Sequence, residues 1–194
     1  ARLADADPVA SPAAAKRPIF FVTSASGGKN PLRPARLGGA IDPERPMHDL
    51  AVPARLIAPN PDDRDEAART AGSCIATARA EQPHGPYLLA GIAEGGVIAC
   101  EMARQWEQAG ETVHLLLIES RNLAATPPPD TPFGGLVTVI ATPETLAEDA
   151  GLGWGTIFGE RVRVVPIAGH ERPRRMQMEV AGAMRAWLEE VDRR

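Results

Sequence analysis

One stretch carries the spacing of covalent catalysis. Pro86-Tyr87-Leu88-Leu89-Ala90-Gly91-Ile92-Ala93-Glu94-Gly95-Gly96 runs a short apolar segment into a glycine-flanked turn, and a helical pattern over Val97 to Gln108 follows at once. Strand, sharp turn, helix is the layout of a nucleophile elbow, written G-x-S-x-G, in which the strained turn pushes the central side chain into the site. Gly91 and Gly95 stand at the flanking positions, where strand and helix pass too close for a side chain. The central residue is Ala93. Its methyl cannot attack anything, so the pattern predicts a scaffold for acyl transfer whose attacking atom is missing.

The elements that would hold this turn follow from periodicity. Pro18 to Thr23 is a short apolar run with two phenylalanines, a buried strand, broken by Ser24-Ala25-Ser26-Gly27-Gly28. Pro31 to Ile41 reads as a short helix and Arg45 to Val52 as a strand. Asn60-Pro61-Asp62-Asp63 is a turn and helix-start signal. Arg64 to Glu81 follows as an amphipathic helix with Ala67, Ala71, Cys74, Ile75 and Ala78 on one side, and Pro83 to Pro86 ends it. After the elbow, Ile98, Met102 and Trp106 recur at helical spacing, and Gly110 closes that helix. His114 to Ser120, Leu136 to Ala141 and Val162 to Ile167 are further strands. A last helix carries Val180, Met184, Trp187, Leu188 and Val191 as its apolar stripe. Alternating strands and helices predict an α/β domain with a mostly parallel central sheet and helices on both faces. In such sheets sites form at the carboxyl ends of strands, which is where Glu119 falls.

Three segments, in this order, carry a family resemblance. "RPIFFVTSASGG", "GPYLLAGIAEGGVIACEMARQWEQAG" and "VRVVPIAGHE" resemble the first strand and oxyanion loop, the elbow core, and the last strand and histidine loop of the type I thioesterase domains of nonribosomal peptide and polyketide synthases. The resemblance spans roughly residues 18 to 190 and implies an α/β-hydrolase fold. It puts His170 in the place of the general base and Glu119 in that of the acid that orients it, with Glu144 as the second candidate acid. The family's oxyanion loop usually reads His-Pro-Ala-Gly-Gly. Aligning the paired glycines places Ser26 on the alanine, with Ala25 as a second candidate for the inward-pointing amide, and Glu94 N–H as the other donor. The family inserts a helical lid where this chain has only a short Pro-rich loop between Arg121 and Gly135, so the lid is expected to be reduced or absent. The resemblance implies no metal and no resident cofactor. The substrate, an acyl or peptidyl thioester, would arrive on the phosphopantetheine of an upstream carrier protein domain. Residues 1–16, rich in Ala, Pro and Asp, fit a linker from such a domain, leaving 17–194 as the thioesterase-like domain.

Composition narrows the alternatives. A chain of 194 residues is expected to be essentially one domain with a well-buried core. A net charge of -4 argues against a nucleic-acid surface. No apolar run is long enough to span a membrane, and no signal peptide is expected. Cys74 and Cys100 lack metal-like spacing and read as buried free thiols of a reducing, cytoplasmic compartment.

Ala93 leaves three readings open. A native Ser or Cys was replaced by alanine to stop turnover. Alternatively, His170 and Glu119 activate water or a substrate nucleophile directly, with Glu94 as a further acid or base. Or the chain is a non-catalytic module that binds a carrier domain or a ligand. A dinucleotide site, from Gly91-x-Ala93-x-x-Gly96 with Glu119 about twenty residues on, is opposed by the late position of the motif and by the Glu94 charge in the turn.

Overall fold

The computed structural model describes residues 16–25, 30–53, 63–122, 133–148, 152–168 and 173–194. Six strands form one sheet: β1 (Ile19–Ser24), β2 (Met47–Val52), β3 (Tyr87–Ile92), β4 (Val113–Ile118), β5 (Val137–Ala141) and β6 (Val162–Pro166). Their order is β2-β1-β3-β4-β5-β6, and every pairing among them is parallel. The strand order reverses beside β1, and β3 lies at the middle of the sheet.

The helices divide between the two faces. On one side α2 (Asp63–Glu81) and α3 (Gly95–Gln108) pack on Phe20, Val22, Leu89 and Leu115, with Trp106 fully buried. On the other, α1 (Pro34–Ile41) and α6 (Pro173–Asp192) pack on Ile19, Phe21, Leu88 and Leu116, with Val180, Met184, Trp187, Leu188 and Val191 facing inward. Neighbours such as Ile19 and Phe20 serve opposite cores because side chains alternate along a strand. This two-sided burial is why the central strands read as unbroken apolar runs. Buried Arg45 ties β2's approach to the segment before β1 and to the end of α6. Its guanidinium donates to Asp42 at 3.3 Å, to the Arg17 carbonyl at 3.0 Å and to Asp192.

Element bounds differ from the expected ones by up to three residues at helix starts. Helix α1 opens at Pro34, with proline in the first turn where its missing N–H is harmless. Three short elements were not foreseen: α4 (Pro143–Glu148), α5 (Gly155–Phe158) and a 3-10 turn (Gly159–Arg161). Each is too short for a helical period to show. The expected linker, apart from Lys16, and most of the Pro-rich loop, residues 123–132, lie outside the described residues.

The approach of α3 to the sheet is set by glycine. A Cβ on Gly95 would meet the Val22 carbonyl oxygen at 2.1 Å, and one on Gly91 would meet Gly96 Cα at 2.5 Å. Both obstacles are backbone and cannot swing aside. Gly39, exposed in α1, has nothing within 4 Å of such a Cβ. Gly95→Ala is therefore expected to destabilise by about 3 kcal/mol or more. Gly39→Ala is expected to stabilise by roughly 0.5–1 kcal/mol through chain entropy. Urea denaturation of both variants checks the contrast, and equal effects would contradict this packing.

His114 is buried on the α6 side of β4, where its Nδ1 accepts the Leu136 N–H at 3.2 Å. Burial, aided by Arg17 and Arg194 and opposed by Glu190, holds it below its ordinary value of 6.5. A group with a depressed folded pKa contributes stability that is complete above its unfolded value and lost as pH falls. The melting temperature is thus expected to fall as pH drops below 6.5. In His114→Asn that part of the pH dependence should be absent, as a thermal scan across pH would show.

Candidate active site

The carboxyl ends of β1, β3, β4 and β5 converge on the elbow. Strand β3 ends at Ile92, and Ala93 turns the chain with φ of 49° while its N–H donates to the Ile118 carbonyl at 2.9 Å. Helix α3 then starts at Gly95. A residue with a Cβ held at positive φ stores about 1–3 kcal/mol of strain. Ile92 lies opposite Ile118 in the register, so Glu119 leaves β4 at the same level as Ala93 leaves β3. Glu119 also has φ of 49°, and its N–H donates to the Ile140 carbonyl at 2.8 Å. Adjacent strands run about 4.8 Å apart, so the two strained residues are immediate neighbours on the sheet.

Glu119 is half-buried and tied down. Its Oε1 accepts the Thr142 N–H at 2.5 Å and its Oε2 accepts the Thr145 hydroxyl at 3.0 Å. Glu144, the other candidate acid, is exposed on the first turn of α4 with no hydrogen bond among the described residues. Ser120 follows, buried against Gly96, and its carbonyl accepts the Trp154 indole N–H at 2.8 Å. The Asn122 N–H donates to the Leu152 carbonyl at 2.8 Å. Together these bonds fix the chain just past the acid.

Of the amide donors, Glu94 N–H has no acceptor among the described residues and sits where α3 begins. There the helix's unpaired N–H groups favour negative charge. Its carboxylate is exposed and caps nothing. Ala25 is different. Its N–H donates to the Val52 carbonyl at 2.7 Å, extending the β1–β2 ladder, so it is not open to an oxyanion. That corrects its standing as a second candidate amide. Ser26 and His170 lie outside the described residues. The approach to the histidine loop is described as far as Ala168, whose N–H donates to the Glu179 carboxylate of α6; Arg175 Nε bonds the same carboxylate at 2.9 Å.

No thiol offers itself as a substitute nucleophile. Burial in α3 pushes Cys100 up to about 12, and burial raises Cys74 as well. Among the described residues no cluster of His, Cys, Asp or Glu fits a metal ion, and no helix is long and apolar enough to cross a membrane. The functional candidates missed by sequence reasoning are Thr142 and Thr145. The signal was a threonine just before Pro143, a helix-start pattern.

Residues 50–128, which include the elbow and Glu119, match the family model of the thioesterase domain. The non-reducing polyketide synthase men2 of Menisporopsis theobromae is 32% identical over 111 residues, which are 57% of this chain and 5% of that protein. Thioesterase pytI of Aspergillus terreus is 32% identical over 133 residues, 60% of this chain and 41% of that protein. The chain thus spans less than half the length of either relative. Among solved structures, the NocB thioesterase domain in covalent complex with a fluorophosphonate nocardicin G analog superposes with a TM-score of 0.61 over 91% of this chain and 95% of that one. At 24% identity that is a likeness of fold. The family match over residues 50–128 centres on the elbow, and with the parallel sheet around it the chain has the α/β-hydrolase fold and is similar to thioesterase domains over that matched segment.

Proposed function

We propose that this domain acts on an acyl or peptidyl chain held as a thioester on the phosphopantetheine of a carrier protein domain, with Ala93 in the seat of the nucleophile. One observation supports this most: Ala93 is kept at a φ of 49° at the end of the central strand, beside an acid held the same way. Nothing about a methyl group calls for that conformation, whereas a nucleophile needs it to stand clear of the strand.

With Ser or Cys at this position, the reaction is acyl transfer. His170 takes the proton as the oxygen or sulfur attacks the thioester carbon. The resulting oxyanion accepts hydrogen bonds from Glu94 N–H and the Ser26 amide, each worth roughly 3–4 kcal/mol of barrier. The carbon–sulfur bond breaks, and His170 returns the proton to the departing pantetheine thiol. Water, activated by His170, then releases the chain from the enzyme. Glu119 holds the imidazole's tautomer and offsets its charge. With alanine in place, this covalent route is closed, and a bound thioester is held rather than cleaved. The two free thiols support a reducing, cytoplasmic setting for the reading.

The intact acid beside Ala93 favours one further reading, in which His170 activates water or a nucleophile on the substrate for direct attack. The two separate in one assay of acyl-pantetheine cleavage. Ala93→Ser or Ala93→Cys is expected to raise the rate by at least about a thousandfold over the alanine chain. Adding His170→Ala should remove the gain. Cleavage by the alanine chain that His170→Ala abolishes supports direct attack instead. No cleavage by any of these proteins, with retained affinity for a loaded carrier, leaves a binding module.

A further inference from the structure

We propose that Thr145, backed by Thr142, is the positioning residue that fixes the carboxylate of Glu119; the inference rests on the acid role given to Glu119 above. The hydroxyl protons around the acid can be ordered from the distances alone. Thr145 Oγ1 lies 3.0 Å from Glu119 Oε2, and an ionised carboxylate only accepts, so the Thr145 proton points at Glu119. Thr142 Oγ1 lies 2.9 Å from Thr145 Oγ1. With the Thr145 proton already placed, Thr142 must donate in that pair. The result is a directed chain, Thr142 O–H to Thr145 O–H to Glu119, whose last bond is charge-assisted. Such chains polarise one another in a buried setting.

Helix capping does not account for this arrangement. Thr142 caps α4 by accepting the Thr145 N–H at 3.4 Å, which uses the Thr142 oxygen alone. The Thr145 hydroxyl plays no part in the cap and reaches out of the helix to the acid. Thr142 is fully buried and Thr145 only 8% exposed, so water does not compete for either. With the Thr142 N–H on the other oxygen, the carboxylate is held at both ends from one rigid turn. A glutamate otherwise loses up to about 1.5–2 kcal/mol of rotamer freedom when it is ordered. The clamp sets that order before any substrate binds.

The test uses Thr145→Val, which keeps the shape and loses the proton, and Thr145→Ser, which keeps the proton. Thr145→Ala replaces the valine variant should that one fail to fold. In the chain as it stands, carbon-13 NMR of labelled glutamate carboxyls, assigned with Glu119→Gln, should show the Glu119 resonance moved by Thr145→Val and unmoved by Thr145→Ser. In the Ala93→Ser background, Thr145→Val should lower kcat for acyl-pantetheine cleavage about tenfold or more with KM within about twofold, and Thr145→Ser should retain the parent rate. A moved resonance with no cleavage by Ala93→Ser sinks the catalytic reading and leaves the clamp standing. A resonance that ignores Thr145→Val overturns the proposal. So does an unchanged kcat in an active background, or a serine variant as impaired as the valine one.

Discussion

The first turn of α3 lies against the ends of β1 and β4 at a distance that excludes side chains. Gly95 abuts the Val22 carbonyl, Gly96 abuts Ser120 and Gly91 abuts Gly96, each nearer than any Cβ could sit. That contact fixes where the helix begins, and so fixes the turn that joins it to β3. With two anchored ends and only Ala93 and Glu94 between them, Ala93 is driven to positive φ. The strain of roughly 1–3 kcal/mol is carried by the packing of the surrounding sheet, not by anything the Ala93 side chain does.

The same constraint reaches the neighbouring strand. Ser120 is buried because it backs Gly96, and burying it forces Glu119, one residue earlier, to the rim of the sheet at the level of Ala93. The Trp154 indole and the Leu152 carbonyl then hold the chain on the far side of Ser120. Acid and elbow are therefore not placed independently. Both follow from one close approach of a helix to two strands, and a shift in either would break the other's register.

Much of this could be read from residue order. Gly91, Ala93 and Gly95 stand between an apolar run and a helical period, and that pattern carries its own geometry. The central strands were legible because burial on both faces makes them almost wholly apolar, and α6 because its stripe keeps a helical period over 20 residues. The oxyanion loop was harder. Sequence spacing left Ala25 and Ser26 both eligible, since the ladder bond from Ala25 to Val52 pairs residues far apart along the chain. Helices α4 and α5 were missed for a related reason. Too short for periodicity, they are held by long-range contacts such as buried Trp154, and the threonines that meet Glu119 came with them.

Because glycine packing makes the elbow, the turn's shape does not depend on which small side chain stands at its apex. Alanine, serine and cysteine differ there by one atom on the same Cβ, and none alters the contacts of Gly91, Gly95 or Gly96. The rest of the apparatus is indifferent to that atom as well. The Glu94 amide, at the start of α3, has no acceptor among the described residues, and Glu119 is held by Thr142 and Thr145 from the turn after β5. An exchange of alanine for serine or cysteine at the apex is thus expected to leave the fold undisturbed. At a φ of 49° glycine would sit without the strain that a Cβ brings, and this turn carries alanine.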